Sequence, residues 1–178
     1  IVLPIFDEAE NISPLLGSLF AVLKQTGKTF EVIAVNDGSR DESLRLLREE
    51  AVGRPNLRVI DFRRNFGQTA ALMAGIDHAT GHVIVSLDAD LQNDPEDIPL
   101  LLDEIGKGCD VVSGWRRNRQ DGRFRSFFSR VANRVISRLS GVHLKDYGCT
   151  LKAYRREVLS GIRLYGEMHR FIPLYASG

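Results

Sequence analysis

Long apolar runs are the first thing missing from this sequence of 178 residues. None reaches the ~18 residues of a membrane-spanning helix, and no stretch has the layout of a secretory signal. Cysteine is scarce. Cys109 and Cys149 are the only two, they form no metal-ligand spacing, and a disulfide scaffold is excluded. Two free thiols in a reducing, cytoplasmic setting is the simpler reading. Glycine-rich phosphate loops are absent: neither G-x-G-x-x-G nor G-x-x-x-x-G-K-[ST] occurs, so neither a Rossmann dinucleotide site nor a P-loop is supported. There is no internal repeat and no low-complexity tract. With 43% hydrophobic and 26% charged residues, the chain is neither disordered nor collagen-like. A chain of this length buries roughly 70% of its unfolded surface, enough for one domain with its own core. Ile1, not Met, opens directly in an apolar run, so the chain reads as an excised piece, truncated at both ends.

The net charge of +1 hides an asymmetry. Residues 1–110 carry 10 Lys and Arg against 19 Asp and Glu, whereas residues 111–178 carry 14 against 4. Such a division points to a basic face that meets an anionic partner: nucleic acid, anionic lipid or a phosphate-bearing substrate. In the second part Arg outnumbers Lys 12 to 2. A merely solubilising surface would use more Lys, and Arg is the residue of forked phosphate contacts.

Apolar runs alternate with helical patterns. Strands are expected at Ile1–Phe6, Phe30–Val35, Leu57–Phe62, Val83–Leu87 and Asp110–Gly114. Ser13-Pro14 reads as an N-cap with proline at the first helical position, followed by the stripe Leu15, Leu16, Leu19, Phe20 and Leu23 and a stop at Gly27. Ser39 to Glu42 fits a capping box ahead of a second helix. A third helix is expected from Gln68 to Ala79, and a fourth from Pro95 to Ile105 with Asp94 as its cap. This rhythm predicts an α/β domain with a mostly parallel sheet. Ligands in such sheets bind outside the carboxyl ends of the strands, where the polar clusters fall. These are Asp7-Glu8, Asn36 to Ser39, Arg63 to Asn65, Asp88 to Asp90 and Trp115 to Arg117. Beyond them, Arg130, Arg134 and Arg138 share one face of a helix expected over Phe127–Leu139, either a solvated stripe or an anion-binding one.

Two clusters carry chemistry. Asp88-Ala89-Asp90, followed by Gln92, offers hard oxygen ligands suited to Mg²⁺ or Mn²⁺ bridging a diphosphate. Asp94 already caps the helix behind, so Asp88 and Asp90 need another explanation. Asp37-Gly38-Ser39 is a turn with a helix cap, or else Asp37 accepts from a nucleobase or ribose. Pro4 within the first strand predicts irregularity there. His169 reads as a loop residue, Cys149 as a small buried filler, and Trp115 as either groove lining or packing.

An ordered set of motifs resembles a known family: Val2-Leu3-Pro4 with Glu8 and Glu10-Asn11, Asn36 to Ser39, Arg64 to Gln68, Asp88 to Gln92 with Pro95-Glu96, and Asp146 to Arg156. The chain is similar to the family 2 glycosyltransferases of GT-A fold, most closely the polyprenyl-phosphate type. These include dolichyl-phosphate mannose synthases and the bacterial undecaprenyl-phosphate sugar transferases. The resemblance implies a Rossmann-like, mostly parallel sheet flanked by helices. It implies one catalytic domain over 1–178, with 1–114 taking the nucleotide sugar and 115–178 the acceptor. Pro4, Phe6, Glu8, Asp37, Asp88, Ala89 and Asp90 would hold the donor. Asp90 and Gln92 would bind Mg²⁺ or Mn²⁺, and Arg116 and Arg130 would grip the acceptor phosphate. Asp90, Asp146 and Arg116 would be the catalytic group. Asn36 departs from the Asp that relatives often carry.

The implied reaction is inverting, metal-dependent transfer of a sugar from UDP or GDP to a polyprenyl phosphate at the cytoplasmic face of a membrane. The implied partners are the donor, the lipid acceptor and the membrane surface, without nucleic acid and with room for a homo-oligomer. The alternatives are a family 2 enzyme acting on a sugar hydroxyl, which would need a general base, and a non-catalytic nucleotide-sugar binder. A nucleic-acid module lacks support, because the aromatic interleaving of single-strand platforms is missing.

Overall fold

The computed structural model describes residues 1–114, 149–159 and 161. The strands among them are β1 (Val2–Ile5), β2 (Val32–Asn36), β3 (Leu57–Asp61), β4 (Val83–Ser86), β5 (Val111–Ser113) and β6 (Lys152–Arg155). The helices are α1 (Ala9–Gln25), α2 (Ser43–Val52), α3 (Gln68–His78), α4 (Ile98–Gly106) and the short α5 (Arg156–Leu159). One sheet runs in the order β3-β2-β1-β4-β6-β5. The first four strands of that order pair in parallel, and β6 lies antiparallel between β4 and β5. The α/β, mostly parallel expectation therefore holds.

Period-two alternation along the strands sends side chains to two separate cores. Leu3, Ile5, Val32, Ala34, Val85 and Leu87 face one side, packed with α1 and α4. Val2, Ile33, Val35, Ile84 and Tyr154 face the other, packed with α3. The expected stripe of α1 is buried in full, and Ile12 extends it by one turn. Each such side chain stabilises the fold by about 1.5–3 kcal/mol relative to exposure.

Three local expectations need correction. The first helix begins at Ala9, so Pro14 lies inside it instead of at its first position. Proline removes one N–H there, but Pro14 and Glu10, whose carbonyl loses its partner, are both exposed, so water can replace the bond. The Ser39–Glu42 capping box does not form, since α2 starts at Ser43 without a side-chain cap. Lys152–Arg155, read only as part of a motif, is a strand. Its seat is prepared by Ser86 Oγ, which donates to the Thr150 carbonyl at 2.7 Å, and by Asn93 Nδ2, which donates to Thr150 Oγ1 at 3.0 Å. The fourth helix opens as a 3-10 turn over Pro95–Asp97, and Asp94 caps it as expected by accepting from the Glu96 amide at 3.0 Å.

Because β6 is antiparallel, its beginning lies at the carboxyl end of β4. The Gly114 amide donates to the Leu151 carbonyl at 2.8 Å. Gly114 and Cys149, the two ends flanking residues 115–148, therefore stand at one rim of the sheet.

Two helical glycines give opposite expectations. Alanine is favoured over glycine in a helix interior by about 1 kcal/mol. An added Cβ at Gly17 meets nothing within 4 Å, whereas at Gly75 it overlaps Val2 Cγ1. Overpacking costs about 1–3 kcal/mol and outweighs the helical gain. Urea unfolding should find Gly17→Ala more stable by up to about 1 kcal/mol and Gly75→Ala less stable by up to about 2 kcal/mol. A Gly75→Ala variant as stable as the parent would mean that α3 is free to lift from β1.

Candidate active site

The site begins where two neighbouring strands part. Carbonyls of Ile1 and Ile5 accept from β2 and its continuation, from Ile33 and Asp37, both at 2.8 Å. The carbonyl of Val2 accepts from Leu87, beyond β4, at 3.2 Å. By alternation the ring nitrogen of Pro4 faces the β4 side. There the pairing of β1 with β4 ends at Val2 opposite Ser86, so the missing N–H costs no ladder bond. The expected irregularity at Pro4 is thus confined to one edge, because Pro4 stays in register with Val35 of β2. This is also the point at which the strand order reverses direction, the usual place for a ligand crevice in an open α/β sheet.

A cleft of about 390 Å³ opens there. Pro4, Phe6 and Glu8 line it from the end of β1, Asp37 from the end of β2, and Asp88, Ala89 and Asp90 from the end of β4. The structure therefore brings together all seven residues proposed from sequence for the donor. Asn65, Gly67 and Gln68 line it as well and had been given no role. Their signal was available: a polar run at a strand end, with Gly67 directly before a helix.

Asp37 organises this wall. It is 2% exposed, and its two carboxylate oxygens accept from the amides of Phe66 at 2.7 Å and Gly67 at 2.9 Å. Gly38 lies against the Arg64 backbone at φ +65°, where a Cβ would overlap it. Asn36 donates to Asp61 Oδ1 at 2.8 Å, so the Asp usual in relatives would set two carboxylates face to face.

The loop expected to cap α2 also serves α1: Asp41 Oδ1 accepts from the Ser43 amide at 2.9 Å, and three other bonds reach across. Ser39 Oγ accepts from the Asp7 amide, Ser43 Oγ from Glu8 and Asp41 Oδ2 from Ala9, each at 3.0 Å. Asp7, at φ +53°, returns the contact by accepting from the Arg40 amide at 2.7 Å. Burial raises the Asp41 carboxyl, but bonds from Ser43 and Ala9 outweigh it and hold the group below its usual range. Glu8 is fixed in turn by Asn11 Nδ2, which donates to Glu Oε2 at 2.6 Å.

On the opposite wall, Gln68 Nε2 donates to Asp88 Oδ1 at 2.6 Å. Leu91, at φ +59°, turns the chain so that the Gln92 amide donates to Asp90 Oδ1 at 3.1 Å. The Gln92 side chain is exposed and is not among the cleft-lining residues. Among the described residues no three His, Cys, Asp or Glu side chains gather into a metal cage. Two carboxylates in one cleft fit a hard divalent ion that takes its remaining ligands from water and substrate phosphate. Arg116, Arg130 and Asp146, with Trp115 and His169, lie outside the described residues. Cys149 is buried, with Sγ 3.3 Å from Asn93 Oδ1, in keeping with a filler. Neither cysteine is in a disulfide. No helix among the described residues is long and apolar enough to cross a membrane.

The architecture is shared with solved structures of nucleotide-sugar enzymes. Glucosyl-3-phosphoglycerate synthase from Mycobacterium tuberculosis, solved with phosphoglyceric acid, superposes at a TM-score of 0.71 with 21% identity, covering 98% of this chain and 66% of that one. The same enzyme with Mn²⁺ and UDP-glucose gives 0.69 and 22%, over 90% and 57%. At that identity the likeness speaks for the GT-A fold alone. The family model for glycosyl transferase family 2 matches residues 1–163, and the chain belongs to that family. It is 46% identical to dodecaprenyl-phosphate galacturonate synthase of Rhizobium johnstonii, over all of this chain and 54% of that protein. It is 44% identical to undecaprenyl-phosphate 4-deoxy-4-formamido-L-arabinose transferase of Pseudomonas fluorescens, over all of this chain and 52% of that protein. The chain thus spans about half the length of the curated relatives it matches.

The Asp37 clamp is directly testable. Asp37→Ala leaves the amides of Phe66 and Gly67 without acceptors, at a cost of roughly 1–3 kcal/mol. Hydrogen exchange at these two amides should accelerate well before the sheet amides do. Unchanged protection would show that the clamp does not hold the loop.

Proposed function

We propose that the protein transfers a sugar from a nucleoside-diphosphate sugar, UDP- or GDP-linked, to a polyprenyl phosphate, with inversion and with a divalent metal ion. The observation that carries the donor half is the cleft, in which four acidic side chains from three strand ends converge beside Pro4 and Phe6. Its volume falls within the usual range for small-molecule sites. The acceptor half is supported by the relatives, whose names specify dodecaprenyl and undecaprenyl phosphate.

In this reading residues 1–114 form the donor part and residues 115–178 the acceptor part. Pro4, Phe6, Glu8 and Asp37 hold the nucleoside, and Asp88 and Ala89 lie along the ribose and diphosphate. Asp90, with Gln92, would hold Mg²⁺ or Mn²⁺, which offsets charge on the departing diphosphate. A phosphate monoester has a second pKa near ~6, so the acceptor is already an anion at neutral pH and needs orientation more than deprotonation. Arg116 and Arg130 supply that orientation and offset the repulsion between two polyanions. Asp146 stabilises the positive charge that develops on the sugar in the single in-line step. The reaction then takes place at a membrane surface, on the cytoplasmic face.

Nucleotide binding tests the donor half. A ligand at 100 times its Kd adds about 2.7 kcal/mol, or roughly 5–11 °C of melting temperature at this size. UDP or GDP with Mn²⁺ should give such a shift, and chelation should shrink it. Turnover tests the metal site: Asp90→Ala should lower kcat on a polyprenyl phosphate by about a hundredfold or more. Full activity in that variant would remove Asp90 from the metal site. Transfer to a sugar hydroxyl in preference to a polyprenyl phosphate would overturn the acceptor.

A further inference from the structure

We propose that Gln68 is the positioning residue of the donor site, orienting the Asp88 carboxylate from across the cleft. The proposal rests on the donor reading above and extends it to a residue with no role there. Asp88 follows β4, which meets β1 at Val2, where the Leu87 amide donates to the Val2 carbonyl at 3.2 Å. A side-chain amide reaches the Asp88 carboxylate from α3: Gln68 Nε2 donates to Asp88 Oδ1 at 2.6 Å. A carboxylate only accepts, so its partner must be a donor, and a neutral amide binds one oxygen without cancelling the charge.

Gln68 is itself held at a fixed point. It is the first residue of α3, which packs on β1 through Gly75 against Val2. The residue before it, Gly67, stands at φ +95° with its amide on Asp37 Oδ2 at 2.9 Å. Asp37, Gly67, Gln68 and Asp88 therefore form one continuous chain of bonds across the cleft. The acidic group at the nucleoside end and the acidic group at the diphosphate end are set relative to each other through α3. The reach also explains the residue type. Asn at position 68 is one methylene shorter, and Glu would set two carboxylates against each other.

A double-mutant cycle on the intact protein tests this, with UDP and GDP as probes in chelator and in Mn²⁺. Gln68→Leu should weaken nucleotide binding about tenfold, the order seen when an orienting partner of a ligand-binding group is lost. It should act through Asp88, so Gln68→Leu combined with Asp88→Ala, which removes the acceptor, should bind within about twofold of Asp88→Ala alone. A residue that only stabilised α3 would give independent, multiplying losses, and that result would overturn the proposal. So would a Gln68→Leu variant that binds as the parent does. Gln68→Asn, which keeps polarity but not reach, carries the same cycle if the leucine variant does not fold. A parent protein that binds neither nucleotide would overturn the donor reading and this inference together, whereas parental binding with an unaffected Gln68→Leu would overturn the inference alone.

Discussion

The separation of β4 from β1 beyond Val2 is the constraint on which the rest of the site depends. A parallel sheet closed along its whole length would leave only flat loop surface at its carboxyl rim. Here the ladder stops after one residue pair, and Pro4 cannot extend it on that side. The gap becomes the floor of the cleft. Every acidic group that faces it comes from a strand end already fixed by the sheet.

The loops around the gap are braced by one another more than by their own helices. Ser39, Asp41 and Ser43 follow β2, yet they satisfy amides at the start of α1. Asp37 follows β2 as well, yet it satisfies amides ahead of α3. Gln68 then extends the same pattern to β4. A site built in this way is preorganised, because Asp37, Asp88 and Asp90 are each held by a hydrogen bond before a ligand arrives. The strain stored at Asp7 and Leu91, both at positive φ, lies in the two loops that carry Glu8 and Asp90.

The charge distribution fits the proposed division of labour. In that proposal the acidic first part supplies carboxylates for a cation and for donor groups. Most of the Arg-rich second part follows Gly114 in the chain. Two anionic substrates can meet only where both charges are offset. β5 ends and the antiparallel β6 begins at one rim of the sheet.

The periodic signals were legible in sequence because they depend on neighbours along the chain. The α1 stripe, the buried strands, the Asp94 cap and the strand-end clusters all belong to this class. All seven donor-site residues named from motif order line the cleft. What was missed depends on partners distant in sequence. Ser39 to Glu42 has the pattern of a capping box, but Ser39 is engaged by the Asp7 amide ahead of α1 and Asp41 is shared between Ala9 and Ser43. Ser13-Pro14 has the pattern of a helix start, but the caps from the β2–α2 loop let the helix begin at Ala9. Lys152 to Arg155 is too short and too polar to read as a strand, and it becomes one only because β4 and β5 leave a slot between them. The sequence by itself determined the alternation of strands and helices and the chemical character of the rim, since both follow from local periodicity. Only the tertiary structure decided which strands part, and hence where a cleft could form and which side chains brace it, since hydrogen bonds between residues some thirty positions apart leave no periodic trace.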